Sequence, residues 1–453
     1  MHDPTIRNVQ APGAPAAAMT ALPPVSAQKT RREGTGARIT LAFVVGMSSI
    51  SGLAIAEEPD GLILPAGFHA TVVAEGLGNI RHLAVRENGN IYVSTPQDPK
   101  GGPGGIFALH LDANHHADKV ERFSSIDGGT GIRFHDGALY AASSSSVYRF
   151  TFRGQELVPS GEPELIVDGM PVNHSLPRTN RILAFDGQGN LVVALAASAN
   201  ICADPKTAQG APPVGLRPCP DLSDRAGIWR FNAKKIGQKF PADGEQLATG
   251  IRDITSLEWS PADGNLYGIM HGRDNASRFF PNLIDTEDDN DIADEMHRVN
   301  KGTDFGWPYT YYDGVRKIRL IAPEYGGDGK KLAPPGAYSN PVLTFQSRRP
   351  APVDLVFYSG KRFPAEYQGG AFIVLHGTNN KNGYNVVFVP FNRSGVAGTP
   401  KVFADGFANL DPSQKTPAPP KYRPVGAAVA PDGALYIADS QKGRIWRITY
   451  GTD

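Results

Sequence analysis

Net charge is what this chain lacks first: 45 Lys and Arg balance 45 Asp and Glu. Without a basic excess it has no electrostatic footprint for nucleic acid, and none for an anionic membrane surface. Cysteine is nearly absent. The two that occur, Cys202 and Cys219, fall in one long loop, and no Cys-x-x-Cys-His exists to carry a covalent haem. In an exported protein such a pair reads most simply as one disulfide pinning that loop. Beyond residue 56 no apolar run is long enough for a membrane helix.

Turns, by contrast, are plentiful, with 51 Gly and 38 Pro. One turn phrase recurs: a short polar pair ending in Gly, then a residue, then an aliphatic and an aromatic or β-branched residue. It appears around Gly89, Gly137, Gly189, Gly264 and Gly433, with a weaker copy at Gly369. Asp-Gly and Asn-Gly tolerate positive φ and mark tight hairpins. A strand-like run precedes each copy, as in Arg181-Ile182-Leu183-Ala184-Phe185, and another follows, as in Gly227-Ile228-Trp229-Arg230-Phe231. Three strands in one order, six times over, predict an all-β fold, a six-bladed β-propeller with long loops on one face. A β-sandwich or two smaller β domains are the competing architectures. The run Phe68–Val73 has no blade of its own, so it is expected to complete the last blade and cover its edge.

The first residues read differently. Residues 1–38 are rich in Ala, Pro, Thr and Arg. Lys29, Arg31, Arg32 and Arg38 precede the apolar stretch Ile39–Ala56, which ends in Ala54-Ile55-Ala56 before Glu57-Glu58. This pattern predicts a signal peptide with an extended basic leader over residues 1–56 and the propeller over 57–453. A periplasmic or secreted location follows from it. A membrane anchor is the alternative, but Gly46, Ser48, Ser49, Ser51 and Gly52 interrupt the stretch.

Spacing between repeats is uneven, and the extra length sits at residues 198–225, 271–294, 301–350 and 405–422. Long loops on a rigid scaffold are where function is usually placed. Asp285 to Asp291 carries five carboxylates in seven positions without the glycine and glutamate of an EF-hand. It reads as a solvated loop or as a structural calcium site.

The string "HGRDN … DEMHRVNKGTDFGWPY", with "APVDLVFYSGKRFPAEYQGGAFIVLHGT" and "YRPVGAAVAPDGALYIADSQKGRIWRITY", resembles the soluble quinoprotein glucose and sorbosone dehydrogenase family. The resemblance spans most of residues 62–450. It implies pyrroloquinoline quinone (PQQ) and calcium as cofactors, and oxidation of a sugar or sugar-derived aldehyde by hydride transfer. It also implies an external electron acceptor, a cytochrome or a quinone. By the same resemblance His174 is the catalytic base, taking the hydroxyl proton. Asn200 contacts the quinone, and the carbonyls of Gly272 and Arg273 ligate calcium, a cation that prefers oxygen. Lys381, Lys421 and Arg423 grip the cofactor carboxylates; Lys421 stands where Arg is usual and offers a point charge in place of a fork. Trp307 and Tyr309 either line a sugar subsite or pack between blades. Two other readings stay open: a metal-dependent lactonase-type propeller, and a cofactor-free binding module.

Overall fold

A computed structural model of the chain describes residues 55–57, 61–96, 104–126, 130–172, 181–284, 289, 291–345, 350–378, 382–409 and 419–451. Six sheets carry the repeat, antiparallel through their first four strands, with a short parallel fifth strand added to two of them. Blade 1 runs through His82–Val85, Ile91–Thr95, Gly105–Leu111 and Ala117–Ser124. Blades 2 to 5 start with Ile132–His135, Arg181–Phe185, Asp253–Ser260 and Pro352–Phe357. Blade 6 contains Pro424–Val429, Leu435–Asp439, Ile445–Tyr450 and, from the other end of the chain, Phe68–Ala74. That last strand pairs with Ile445–Tyr450 from Phe68↔Tyr450 to Ala74↔Ile445, so the ring closes by joining distant parts of the chain. The innermost strands touch one another around the ring and back to blade 1.

The repeated turn works as its residues demand. Gly89, Gly137, Gly189, Gly264, Gly369 and Gly433 all have positive φ, where a Cβ would be strained. At the third copy the Asp186 carboxylate accepts from the backbone N–H groups of Gln188 (3.0 Å) and Asn190 (2.9 Å). At the last copy Asp432 accepts from Ala434 N–H (3.0 Å).

The second strand of each blade is apolar on both faces because each face meets a different blade. In Leu191–Leu195, Leu191, Val193 and Leu195 pack against blade 2, while Val192 and Ala194 pack against blade 4. In Leu435–Asp439, Leu435 and Ile437 meet blade 5, and Tyr436 and Ala438 meet blade 1. Six such apolar clusters fill the six seams. Period-two alternation therefore sorts side chains between two buried seams, and not between core and water.

The ring's axis is polar. Asp354, fully buried, accepts from Ser256 Oγ (3.1 Å), Leu355 N–H (2.9 Å) and Ala427 N–H (2.9 Å). The Arg133 guanidinium lies 3.7 Å from it and 3.3 Å from Glu258. His82 donates through Nδ1 to the Thr130 carbonyl (3.0 Å), which leaves Nε2 facing Asp354 at 3.9 Å. Burial lowers the His82 pKa, against the pull of Asp354, so the ring stays neutral. Burial pushes the Glu258 carboxyl up to about 7, against the pull of Arg133, with Asp354 adding to the rise.

Two results are expected. Asp354→Ala strands the Ser256 hydroxyl and the Ala427 amide, and should lower unfolding free energy by on the order of 3 kcal/mol in a urea titration. Because folding raises the Glu258 pKa above its ordinary 4.5, its contribution is fully present below that value and is lost as pH rises through about 7. The thermal midpoint of the wild-type protein should fall over that window, and Glu258→Gln should flatten the fall. An unchanged slope in Glu258→Gln would show that Glu258 does not titrate there.

Candidate functional site

Innermost strands all begin, and second strands all end, at the same face of the ring. Asn200 follows the second strand of blade 3, and Gly272 and Arg273 follow that of blade 4. Lys421 and Arg423 precede the innermost strand of blade 6. The topology therefore puts these sequence-predicted residues on one face. His174 and Lys381 lie outside the described residues, as do most of the acidic run and residues 1–54. Residues Ile55–Glu57 form a short strand paired with Ile63–Pro65, across the expected cleavage point.

One guanidinium organises the blade 3–4 side of this face. Arg252, just ahead of Asp253–Ser260, donates from Nε to Asn200 Oδ1 (2.9 Å) and from Nη1 to the Gly272 carbonyl (2.8 Å). Its Nη2 pairs with the Asp274 carboxylate. Asn200 completes the knot: Oδ1 also accepts from Asp274 N–H (2.9 Å), and Nδ2 donates to the Asp274 carbonyl (2.7 Å). Trp307 Nε1 donates to the Asn200 carbonyl (3.1 Å). Asn200 and Gly272 are thus brought together, and Arg252 is the residue that sequence reasoning missed. Its signal was positional, a cation at the start of an innermost strand, the same place that Arg423 occupies in blade 6.

Gly272 fits where no side chain could. A Cβ there would stand 2.4 Å from the Ala293 carbonyl. Its N–H donates to Asp294 Oδ1 (2.9 Å), while Asp294 Oδ2 is buried without a hydrogen-bond partner. A buried carboxylate oxygen without a hydrogen-bond partner is a donor suited to a hard cation. Among the described residues no group of three His, Cys, Asp or Glu side chains is placed to hold a metal. The Arg273 side chain turns away, into a buried pair with Glu324 at 2.9 Å. Burial pushes the Glu324 carboxyl up even with Arg273 beside it. His271 Nε2 donates to the Pro352 carbonyl (2.8 Å), which makes it a latch between blades 4 and 5.

On the blade 5–6 side, Arg423 Nη2 donates to the Gly377 carbonyl (2.7 Å), and its guanidinium lies 5.8 Å from the Tyr384 ring. The Lys421 ammonium is exposed, 5.1 Å from the Tyr422 ring. Arg423 and Lys421 give this side of the face a cationic character that suits a carboxylate-rich ligand, whereas the Arg252 charge is matched by Asp274.

The insertions form a cap. Cys202 and Cys219 are joined, as expected for a pinned loop. Arg217 stacks on Tyr309 (4.5 Å) and Tyr325 (5.3 Å), and Tyr325 donates to the Leu216 carbonyl (3.0 Å). Trp307 is buried against Ala197, Cys202, Cys219 and Ala226, and so packs; Tyr309 is half-buried between Arg217 and Tyr325. Beneath them Glu295 takes bonds from Arg319 and from His297 Nε2 (3.0 Å). Burial alone would raise the Glu295 carboxyl; Arg319 and His297 overcome it and hold it below its ordinary value.

The ring is a six-bladed β-propeller that carries cations on one face. The TrAA12-like family model matches residues 62–313 and 334–451, and the chain belongs to that family. The iodide form of a Trichoderma reesei carbohydrate-active enzyme of family AA12 superposes with a TM-score of 0.66 at 17% identity, over 86% of this chain and 98% of that one. The PQQ domain of Coprinopsis cinerea pyranose dehydrogenase, in its holo form, gives 0.64 at 18% identity, with the same coverage of 86% and 98%. An uncharacterized protein of Borreliella burgdorferi is 24% identical over 426 residues, which is 91% of this chain and 96% of that protein.

Arg252→Met should untie Asn200 from Gly272 and Asp274. Hydrogen exchange at the Asp274 amide is expected to rise by at least tenfold while the blade cores keep their protection, since the amide's acceptor loses its brace. Exchange unchanged at Asp274 would mean that Asn200 holds the loop alone.

Proposed function

We propose that the protein is a PQQ- and calcium-dependent oxidoreductase that oxidises a sugar, or a sugar-derived aldehyde or alcohol, by hydride transfer to the quinone. One observation carries this reading: the cations Arg252, Arg423 and Lys421 and the oxygen-rich Gly272–Asp294 corner share one face of a propeller whose family and neighbours point to quinone-dependent sugar oxidation. When bound, PQQ supplies a two-electron acceptor, and calcium polarises it. The Gly272 carbonyl and Asp294 would hold the cation; Arg423 and Lys381 would hold the quinone carboxylates, and Lys421, exposed against the Tyr422 ring, would stay at the rim. Arg252 fixes Asn200 and the Gly272 carbonyl in place, so both are preorganised. His174 takes the hydroxyl proton of the substrate at an imidazole nitrogen as the hydride leaves.

In this reading an external cytochrome or quinone removes the electrons, and the leader over residues 1–56 directs the protein to the periplasm or outside the cell. Among the described residues no helix is long and apolar enough to cross a membrane.

Titration of the calcium-loaded protein with PQQ, followed by quinone absorbance and by dye reduction with a panel of aldoses, tests the proposal. Binding should be stoichiometric and should weaken at least tenfold in Arg423→Ala and Lys381→Ala. His174→Ala should keep binding and lose turnover by about a hundredfold or more, the range for removing a general base. Asp294→Asn should raise the calcium concentration needed for half-maximal activity. No PQQ binding in the presence of calcium would sink the proposal.

A further inference from the structure

We propose that the blade 6 rim beside Arg423 is the docking surface for an acidic electron-accepting protein, an inference that rests on the oxidoreductase reading above. Three cations gather over one ring there: Lys421 Nζ is 5.1 Å, Lys442 Nζ 5.2 Å and the Arg444 guanidinium 4.6 Å from the centroid of Tyr422. Tyr422 is buried and braced edge-on by Trp446, with ring centroids 5.1 Å apart at 87°. Arg444 pairs with Glu75. Lys421 and Lys442 are exposed, and among the described residues neither is paired with a carboxylate.

Such a gathering is not a by-product of composition, because the chain as a whole has no net charge. Two exposed ammoniums on one ring repel each other, and an exposed cation–π contact returns little against that repulsion. The positions are also fixed. Asp439, fully buried, accepts from the backbone N–H of Arg423 (2.5 Å) through Oδ1 and from that of Lys442 (2.6 Å) through Oδ2. One carboxylate thus sets both the cation assigned to the quinone and the cation on the rim.

Exposed lysines hold a small anion weakly against screening water. A broad acidic face that covers both collects several pairs at once and gains in encounter rate. The site beside the rim must also be emptied. Each substrate oxidised releases two electrons and two protons. Two one-electron acceptor proteins, arriving in turn, each take one electron, and the protons pass to water. The chain carries no Cys-x-x-Cys-His motif to attach a haem relay covalently.

The test uses the full chain loaded with PQQ and calcium, an acidic cytochrome as acceptor, and a neutral phenazine dye as control. Lys442→Glu should lower kcat/KM for the cytochrome about tenfold at low salt and leave the dye rate unchanged; Lys442→Gln should lower it less. The wild-type cytochrome rate should fall steeply as salt is raised. Binding of the cytochrome to the unloaded protein, read by surface plasmon resonance, needs no turnover and should weaken in the same order. Equal cytochrome rates in the wild type and Lys442→Glu, with dye turnover intact, would overturn the proposal. So would binding to phosphatidylglycerol vesicles with none to the cytochrome. Absence of dye turnover would count against the oxidoreductase reading alone, and the binding assay would still decide the docking surface.

Discussion

Asp354 is the constraint on which the ring depends. It belongs to blade 5, bonds to Ser256 of blade 4 and to the Ala427 amide of blade 6, and faces Arg133 of blade 2 and His82 of blade 1. A propeller leaves the inner edge of every first strand without a neighbouring strand, so those backbone donors need another partner. A buried carboxylate at the axis supplies one, and the charge it brings is balanced by a single guanidinium. The desolvation cost is high and the net gain over an apolar plug is small. What the arrangement adds is register: five blades must meet at one atom cluster, which an apolar axis would not require.

Much of the fold was legible because turn chemistry and strand period agree. The six glycine turns repeat at the ends of the innermost strands, and the paired apolar faces of runs such as Leu191–Leu195 announce burial on both sides. The joining of Phe68–Ala74 to the last blade followed from counting strands. The fourth strand of each blade was less visible. Ala117–Ser124 and Lys401–Ala404 lie at the outer edge, where only part of each strand is covered and charged residues replace the apolar pattern.

The site was legible by position and not by contact. Strand direction alone places Asn200, Gly272, Lys421 and Arg423 on one face, which is why a family resemblance could assign them residue by residue. The knot that orients Asn200 draws on residues 200, 252, 272, 274 and 307, from the start of blade 4 and three of the insertions. No local pattern predicts such a meeting, because side-chain hydrogen bonds carry no sequence period. Arg252 was passed over because a lone cation at a strand start is usually a solvated one. Arg273 was singled out for its carbonyl alone, which leaves its side chain to another task. That side chain serves the cap by pairing with Glu324.

Rigidity and adjustment are divided between ring and cap. The seams are apolar and tightly interlocked, whereas the cap is held by buried polar pairs, Arg273 with Glu324 and Arg319 with Glu295 and His297. Apolar packing tolerates many substitutions at modest cost, while breaking one member of a buried pair leaves an uncompensated charge. The cap therefore has fewer ways to be almost right. A disulfide two residues from Asn200 and an indole bonded to the Asn200 carbonyl transmit that demand to the knot around Arg252. Cap geometry and site geometry become one condition, and a chain that fails to seat the cap also fails to preorganise the face beneath it.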